Sequence, residues 1–166
     1  FYNLGKTVDI IDFENSYYLN SDNGDKNFIN HFYLGDVIEK KINNEYDLLW
    51  CSHVLEHQVN PNLFLKKIHS LIKEGGILAL IIPPRKPFIV SGHVSLWNGG
   101  LLIYHLILAG FDCSNIQLIQ YDYNIGIILH KKTIKSTSKL NFDIGDFNQL
   151  KNYFPFEVKE GFNGDI

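Results

Sequence analysis

The sequence predicts an α/β fold, with a mostly parallel sheet, helices on its faces, and one antiparallel strand from a C-terminal hairpin. Three observations predict it. Strand-like and helix-like segments alternate from residue 46 to residue 110. "YDLLWCS", residues 46 to 52, is a continuous apolar run, as a strand covered on both faces requires. "SNIQLIQYD" and "YNIGIILHK" are strand-like runs joined by a tight connection around Asp122 to Asn124. So short a connection makes antiparallel neighbours, because parallel ones need a crossover.

The elements follow in order. Residues 7 to 13, "TVDIIDF", read as a strand rich in Ile and Val. "NSYYLNSDNGDKN" is polar and turn-like, a loop with room for one helical turn. "HFYLGD" reads as a second strand ending at Gly35-Asp36, and residues 46 to 52 as a third. Asn60-Pro61 opens a helix, with Asn60 as N-cap and Pro61 at its first position. Phe64, Leu65, Ile68, Leu71 and Ile72 form its apolar stripe, and Gly75-Gly76 is expected to end it. "ILALIIP", 77 to 83, is the next strand, stopped by Pro83-Pro84. Residues 98 to 110 form a largely buried helix, with Asn98 as N-cap and Gly110 as its stop. "HKKTIKSTSK" reads as an exposed basic connector, and "GDFNQLKNYF" as one short helix. The expected organisation is a domain over residues 1–135 and a C-terminal extension over 136–166.

Composition narrows the function. The 166 residues are 45% hydrophobic, enough for one domain with a real core. A net charge of -3 gives the chain no general affinity for nucleic acid or acidic membranes. No apolar run is long enough to span a bilayer, and Phe1 opens no signal-peptide pattern, so a cytoplasmic location is expected. Cys51 and Cys113 lie in no CxxC pair, and both are expected to be buried free thiols. Met is absent even at position 1, so residues are expected to be missing at the front.

Three predicted strands finish in polar residues: Asp12 with Glu14, Asp36, and Cys51-Ser52-His53. In open parallel sheets, ligands bind outside the carboxyl ends of the strands. One carboxylate there can take a ribose diol, and a second can accept from an exocyclic amine such as that of adenine. The constellation is nucleoside-shaped.

"GDVIEKKINNEYDLLWCSHVLEH", "FLKKIHSLIKEGGILALIIPP" and "SGHVSLWNGGLLIYHLILAGFD" together resemble the class I S-adenosylmethionine-dependent methyltransferases. The elements that carry the resemblance are the "GD" before the central strand, "YDLL…HVLEH", "L-x-x-GG-x-L" and "AGF" before the hairpin. It covers roughly residues 7 to 131 and implies a Rossmann-like three-layer sandwich with S-adenosylmethionine as cofactor. It also implies residue roles. Asp12, with Glu14 as fallback, resembles the ribose-binding acid. Asp36 resembles the acid at the adenine amine, with Gly35 letting the backbone approach. Cys51, Ser52 and His53 resemble the residues under the methionine part. Asp47 resembles a structural acid. The family's glycine-rich loop, E/D-x-G-x-G-x-G, has no counterpart in "FYNLG".

His57 and His93 are the candidate general bases, and each is equally read as a loop anchor. His53 and His57 stand four apart, but the sequence offers no obvious third ligand, so no metal site is expected. Glu56 is expected to cap or pair near the next helix, and Trp97 to be either a lid aromatic or core. The expected function is methyl transfer to a small-molecule or sugar-type metabolite. The alternative is a degenerate, non-catalytic binding or assembly module; a nicotinamide-dependent dehydrogenase lacks its glycine fingerprint here. The expected partners are a small-molecule substrate and a second copy in a homodimer, with no nucleic acid and no membrane.

Overall fold

The computed structural model describes residues 1–14, 27–84, 88–90, 92–135, 139–143 and 145–164. They form two compact units, Phe1–Asn43 and Asn44–Ile166. The expected loop and helical turn over 15–26, and residues 136–138 of the expected connector, lie outside the described residues.

In the first unit, a 3-10 turn over Tyr2–Leu4 is closed by Gly5, whose left-handed backbone (φ 69°) no branched residue would favour. Strand β1 (Val8–Asp12) then pairs in parallel with β2 (Ile29–Leu34). The register sets Ile10 against Phe32 and Asp12 against Leu34. The second strand starts two residues before the expected "HFYLGD" and stops short of Gly35. Asp9 locks the pair, its Oδ1 accepting the His31 amide at 3.1 Å and the Asn30 side chain at 2.9 Å.

The second unit holds β3 (Tyr46–Ser52), α1 (Pro61–Leu71), β4 (Ile72–Ile82), α2 (Gly99–Leu108), β5 (Gln117–Tyr121), β6 (Asn124–His130) and α3 (Asp146–Leu150). Its sheet runs β3-β4-β6-β5. β3 and β4 are parallel, with α1 as their crossover; β4–β6 and β5–β6 are antiparallel. The hairpin is therefore as expected, but this sheet is mixed and does not confirm a mostly parallel one. Leu78, Leu80 and Ile82 of β4 pack in the core with Leu102 and Leu106 of α2 and Phe111, all essentially without solvent exposure. Each such side chain stabilises by about 1.5–3 kcal/mol relative to exposure.

The stop of α1 differs from the sequence reading. The helix ends at Leu71, and Ile72 is already extended. Gly75-Gly76 instead form an irregularity within β4, where Gly75 takes φ +78° and a Cβ on Gly76 would meet Ile72 Cγ2 at 2.8 Å. The helix is capped by Lys131, whose ammonium donates to the carbonyls of His69 (2.8 Å) and Ile72 (2.6 Å). A cation at a helix C-terminus satisfies orphan carbonyls and opposes the dipole. Lys131 is thus buried, 8% exposed, rather than part of a solvated connector. At the other end Asn60 makes no side-chain cap bond, whereas Asn98 does cap α2, accepting from Leu101 N–H at 2.8 Å.

The C-terminal segment is anchored. Asp146 is buried and its Oδ2 accepts the amides of Asn141 (2.7 Å) and Phe142 (2.5 Å). Gln120 donates to the Gly164 carbonyl at 2.9 Å, and Gly164 lies so close to Gly99 that an added Cβ would stand 2.4 Å from its Cα. Among the described residues no helix is long and apolar enough to cross a membrane.

Candidate functional site

The parallel register of the first unit brings the carboxyl ends of β1 and β2 side by side. The Gly35 amide donates to the Asp12 carbonyl at 2.9 Å, one step beyond the Asp12–Leu34 pair. Gly35 has φ +118°, a conformation reserved for glycine. Asp36 follows and opens a turn: its Oδ1 accepts from Ile38 N–H at 2.8 Å, and its carbonyl from the amides of Glu39 and Lys40. The Asp12 Oδ1 accepts from Phe13 N–H at 2.8 Å. Each carboxylate is therefore held by one oxygen to its own backbone. Glu14 is exposed just beyond the strand.

In the second unit, β3 ends at Cys51-Ser52. Cys51 is buried, and burial, reinforced by the Glu56 charge, pushes its thiol up to about 12. It is a packing residue rather than a nucleophile. His53 continues the pairing, its amide donating to Ile81 at 2.9 Å, and then turns with φ 54°. That bend leads into the 3-10 turn Leu55–His57.

The turn buries Glu56 completely. Neither carboxylate oxygen has a hydrogen-bond partner among the described residues. Three imidazoles face its Oε1 instead: His53 Nδ1 at 3.2 Å, His57 Nε2 at 3.8 Å and His93 Nε2 at 4.0 Å. The loop that carries His93 is tied to the same residue, since Val94 N–H (2.9 Å) and Ser95 N–H (3.3 Å) both donate to the Glu56 carbonyl. His57 Nδ1 lies 2.9 Å from the Gly92 carbonyl. A carbonyl only accepts, so Nδ1 carries the proton and Nε2 is left facing Glu56. Burying a carboxylate without a donor or counter-charge is strongly unfavourable. Glu56 is therefore no helix cap; it is the centre of a histidine cluster.

Trp97 is buried and donates to Ser95 Oγ at 2.7 Å, which makes it core rather than lid. Asp47 pairs with Lys73 at 2.7 Å on the surface, in keeping with a structural role.

Comparison with known proteins fits this geometry. Residues 3–80 match the family model for the methyltransferase domain. The chain has the class I methyltransferase fold. Human N-acetylserotonin methyltransferase, solved in complex with S-adenosylmethionine, aligns at TM-score 0.62 and 18% identity, over 78% of this chain and 42% of that one. The Burkholderia thailandensis 1,6-didemethyltoxoflavin-N1-methyltransferase, solved with 1,6-didemethyltoxoflavin and S-adenosylhomocysteine, aligns at 0.62 and 16% identity, over 79% and 64%. PigF with S-adenosylhomocysteine aligns at 0.58 and 18%, over 78% and 44%. The chain thus spans less than two thirds of the length of each of these proteins. No curated protein sequence matches it.

Within this methyltransferase fold, Asp12, Gly35 and Asp36 gather at one end of a parallel pair, as their sequence positions suggest. His57 and His93 also meet, their rings 4.9 Å apart and nearly perpendicular. What the sequence reading missed is Glu56 as their common neighbour. The "HVLEH" spacing keeps His53, Glu56 and His57 close in the chain; the approach of His93 depends on how the distant loop folds back.

Proposed function

We propose that the chain is the cofactor-binding part of an S-adenosylmethionine-dependent methyltransferase acting on a small molecule. One observation carries the reading: two carboxylates, Asp12 and Asp36, stand at the same end of adjacent parallel strands, with Gly35 between them in a glycine-only conformation. The match of residues 3–80 to the methyltransferase domain supports it.

In this reading Asp12, or Glu14 beyond it, accepts from the two ribose hydroxyls, and Asp36 accepts from the adenine amine through charge-assisted bonds. Gly35 keeps side-chain bulk away from the purine. Cys51, Ser52 and His53 form the turn beneath the methionine part. When bound, the cofactor would supply a sulfonium-activated methyl group to an acceptor oxygen or nitrogen, with a neutral thioether as the leaving group. The protein aligns the two reactants and excludes water. His57 and His93 are the candidate bases for an acceptor that carries a proton. Residues 1–135 make up the methyltransferase-like part and 136–166 a C-terminal extension on or near its substrate side.

The second reading is a non-catalytic binding or assembly module, favoured by the carboxylates of Asp12 and Asp36 each already accepting from its own backbone. Calorimetry with S-adenosylhomocysteine separates the two. Saturable heat at micromolar ligand supports the methyltransferase. A folded chain that gives none at millimolar ligand supports the module.

A further inference from the structure

We propose that Glu56, His57 and His93 form a binding site for a divalent transition-metal ion, with His53 beside it. This does not rest on the cofactor reading, and the site lies wholly within the second unit.

One ligand atom from each of the three residues lies within 4.8 Å of the other two. Two imidazoles and one carboxylate with open positions make a donor set for zinc or another first-row divalent ion. The spacing is informative. A direct hydrogen bond from an imidazolium to a carboxylate spans about 2.7–2.9 Å, whereas Glu56 Oε1 stands 3.8 Å from His57 Nε2 and 4.0 Å from His93 Nε2. Ligand atoms each about 2.0–2.2 Å from one ion stand about 3–3.5 Å apart. The two Glu56 pairs are too long for a direct bond and need to close by about 0.3–1 Å onto a shared ion; the two histidine ligand atoms lie within 4.8 Å of each other.

A second observation points the same way. Both Glu56 oxygens are buried and lack donors among the described residues, which a cation would correct. The supporting contacts are also in place. The Gly92 carbonyl fixes the His57 tautomer with Nε2 inward, as an outer partner does for a metal-bound histidine. Gly92 takes φ +71°, and a Cβ there would lie 3.0 Å from His57 Nδ1, so glycine permits the approach. The His57 and His93 side chains are 40% and 19% exposed, which leaves the outer side of the ion open to water or an acceptor oxygen. With the ion bound, both imidazoles act as ligands rather than as bases.

The test is zinc titration of the chelator-stripped chain against a chromophoric chelator, without any adenosyl compound, with cobalt(II) absorption as the second readout. The wild type takes up one ion per chain and gives visible cobalt bands. His57→Ala and His93→Ala each lower zinc affinity by more than the roughly 10–100-fold that loss of an outer partner costs, and Glu56→Gln does the same. His130→Ala, outside the cluster, leaves it unchanged. Circular dichroism checks each fold; if Glu56→Gln does not fold, the two histidine variants decide. Absence of stoichiometric zinc in the wild type overturns the proposal, and so does wild-type affinity in both histidine variants.

Discussion

The amide of Gly35 donates to the carbonyl of Asp12 at 2.9 Å, so the two strand ends that carry Asp12 and Asp36 are tied at the backbone. Gly35 accomplishes this at φ +118°, and a Cβ there would meet Lys40 Cε at 3.1 Å. Gly35→Ala is expected to destabilise the first unit by about 1–3 kcal/mol through backbone strain. Urea unfolding measures it. A wild-type midpoint would mean that the turn accommodates a side chain without cost.

Lys131 should matter for stability although it sits in a basic run. Lys131→Met removes two charge-assisted bonds and leaves the carbonyls of His69 and Ile72 without their donor. A loss of about 1.5–3 kcal/mol is expected. Lys132→Met, which removes the ion pair of the solvent-exposed Lys132 to Asp112, should cost less. Equal losses would refute the capping role of Lys131.

Those two lysines also show where the sequence was legible. Strand β3 and the start of helix α1 were readable to within a residue, because a continuous apolar run and the Asn-Pro start are local signals. The hairpin and the Asn98 cap were readable for the same reason. The end of α1 was not: Gly75-Gly76 look like a stop, but the real cap arrives from the far end of β6. The candidate site divides likewise. Asp12 and Asp36 follow from strand ends and register, whereas the burial of Glu56 against His93 depends on a loop whose path no spacing encodes.

Acid should weaken the fold through His105. Burial lowers its pKa from the ordinary 6.5, and its Nδ1 has no partner among the described residues. The unfolded chain protonates this imidazole near 6.5 while the folded one resists. Its contribution is therefore complete above 6.5 and is lost as pH falls from there toward the lowered value. His105→Phe, which keeps a ring against Trp97, should flatten part of the stability profile below pH 6.5. His69, lowered by burial and then by Lys131, keeps a share of that slope. An unchanged slope in denaturant titrations would exclude His105 as a source.

Cys51 should be chemically silent in the native state. With its thiol pushed up to about 12 by burial, it holds almost no thiolate at pH 8. Disulfide reagents should label it only on the timescale of unfolding, and at once in guanidinium. Rapid native labelling would show that the end of β3 opens readily.

The assignment of Asp36 to the adenine amine is tested most directly by a binding cycle: S-adenosylhomocysteine and its inosyl analogue, which lacks the amine, titrated into wild type and Asp36→Ala. The wild type should favour the adenosyl ligand by about 1.5–3 kcal/mol, and the variant should lose that preference. If both proteins discriminate equally, or the wild type binds neither ligand, the carboxylates at the ends of β1 and β2 do not clasp an adenosyl group.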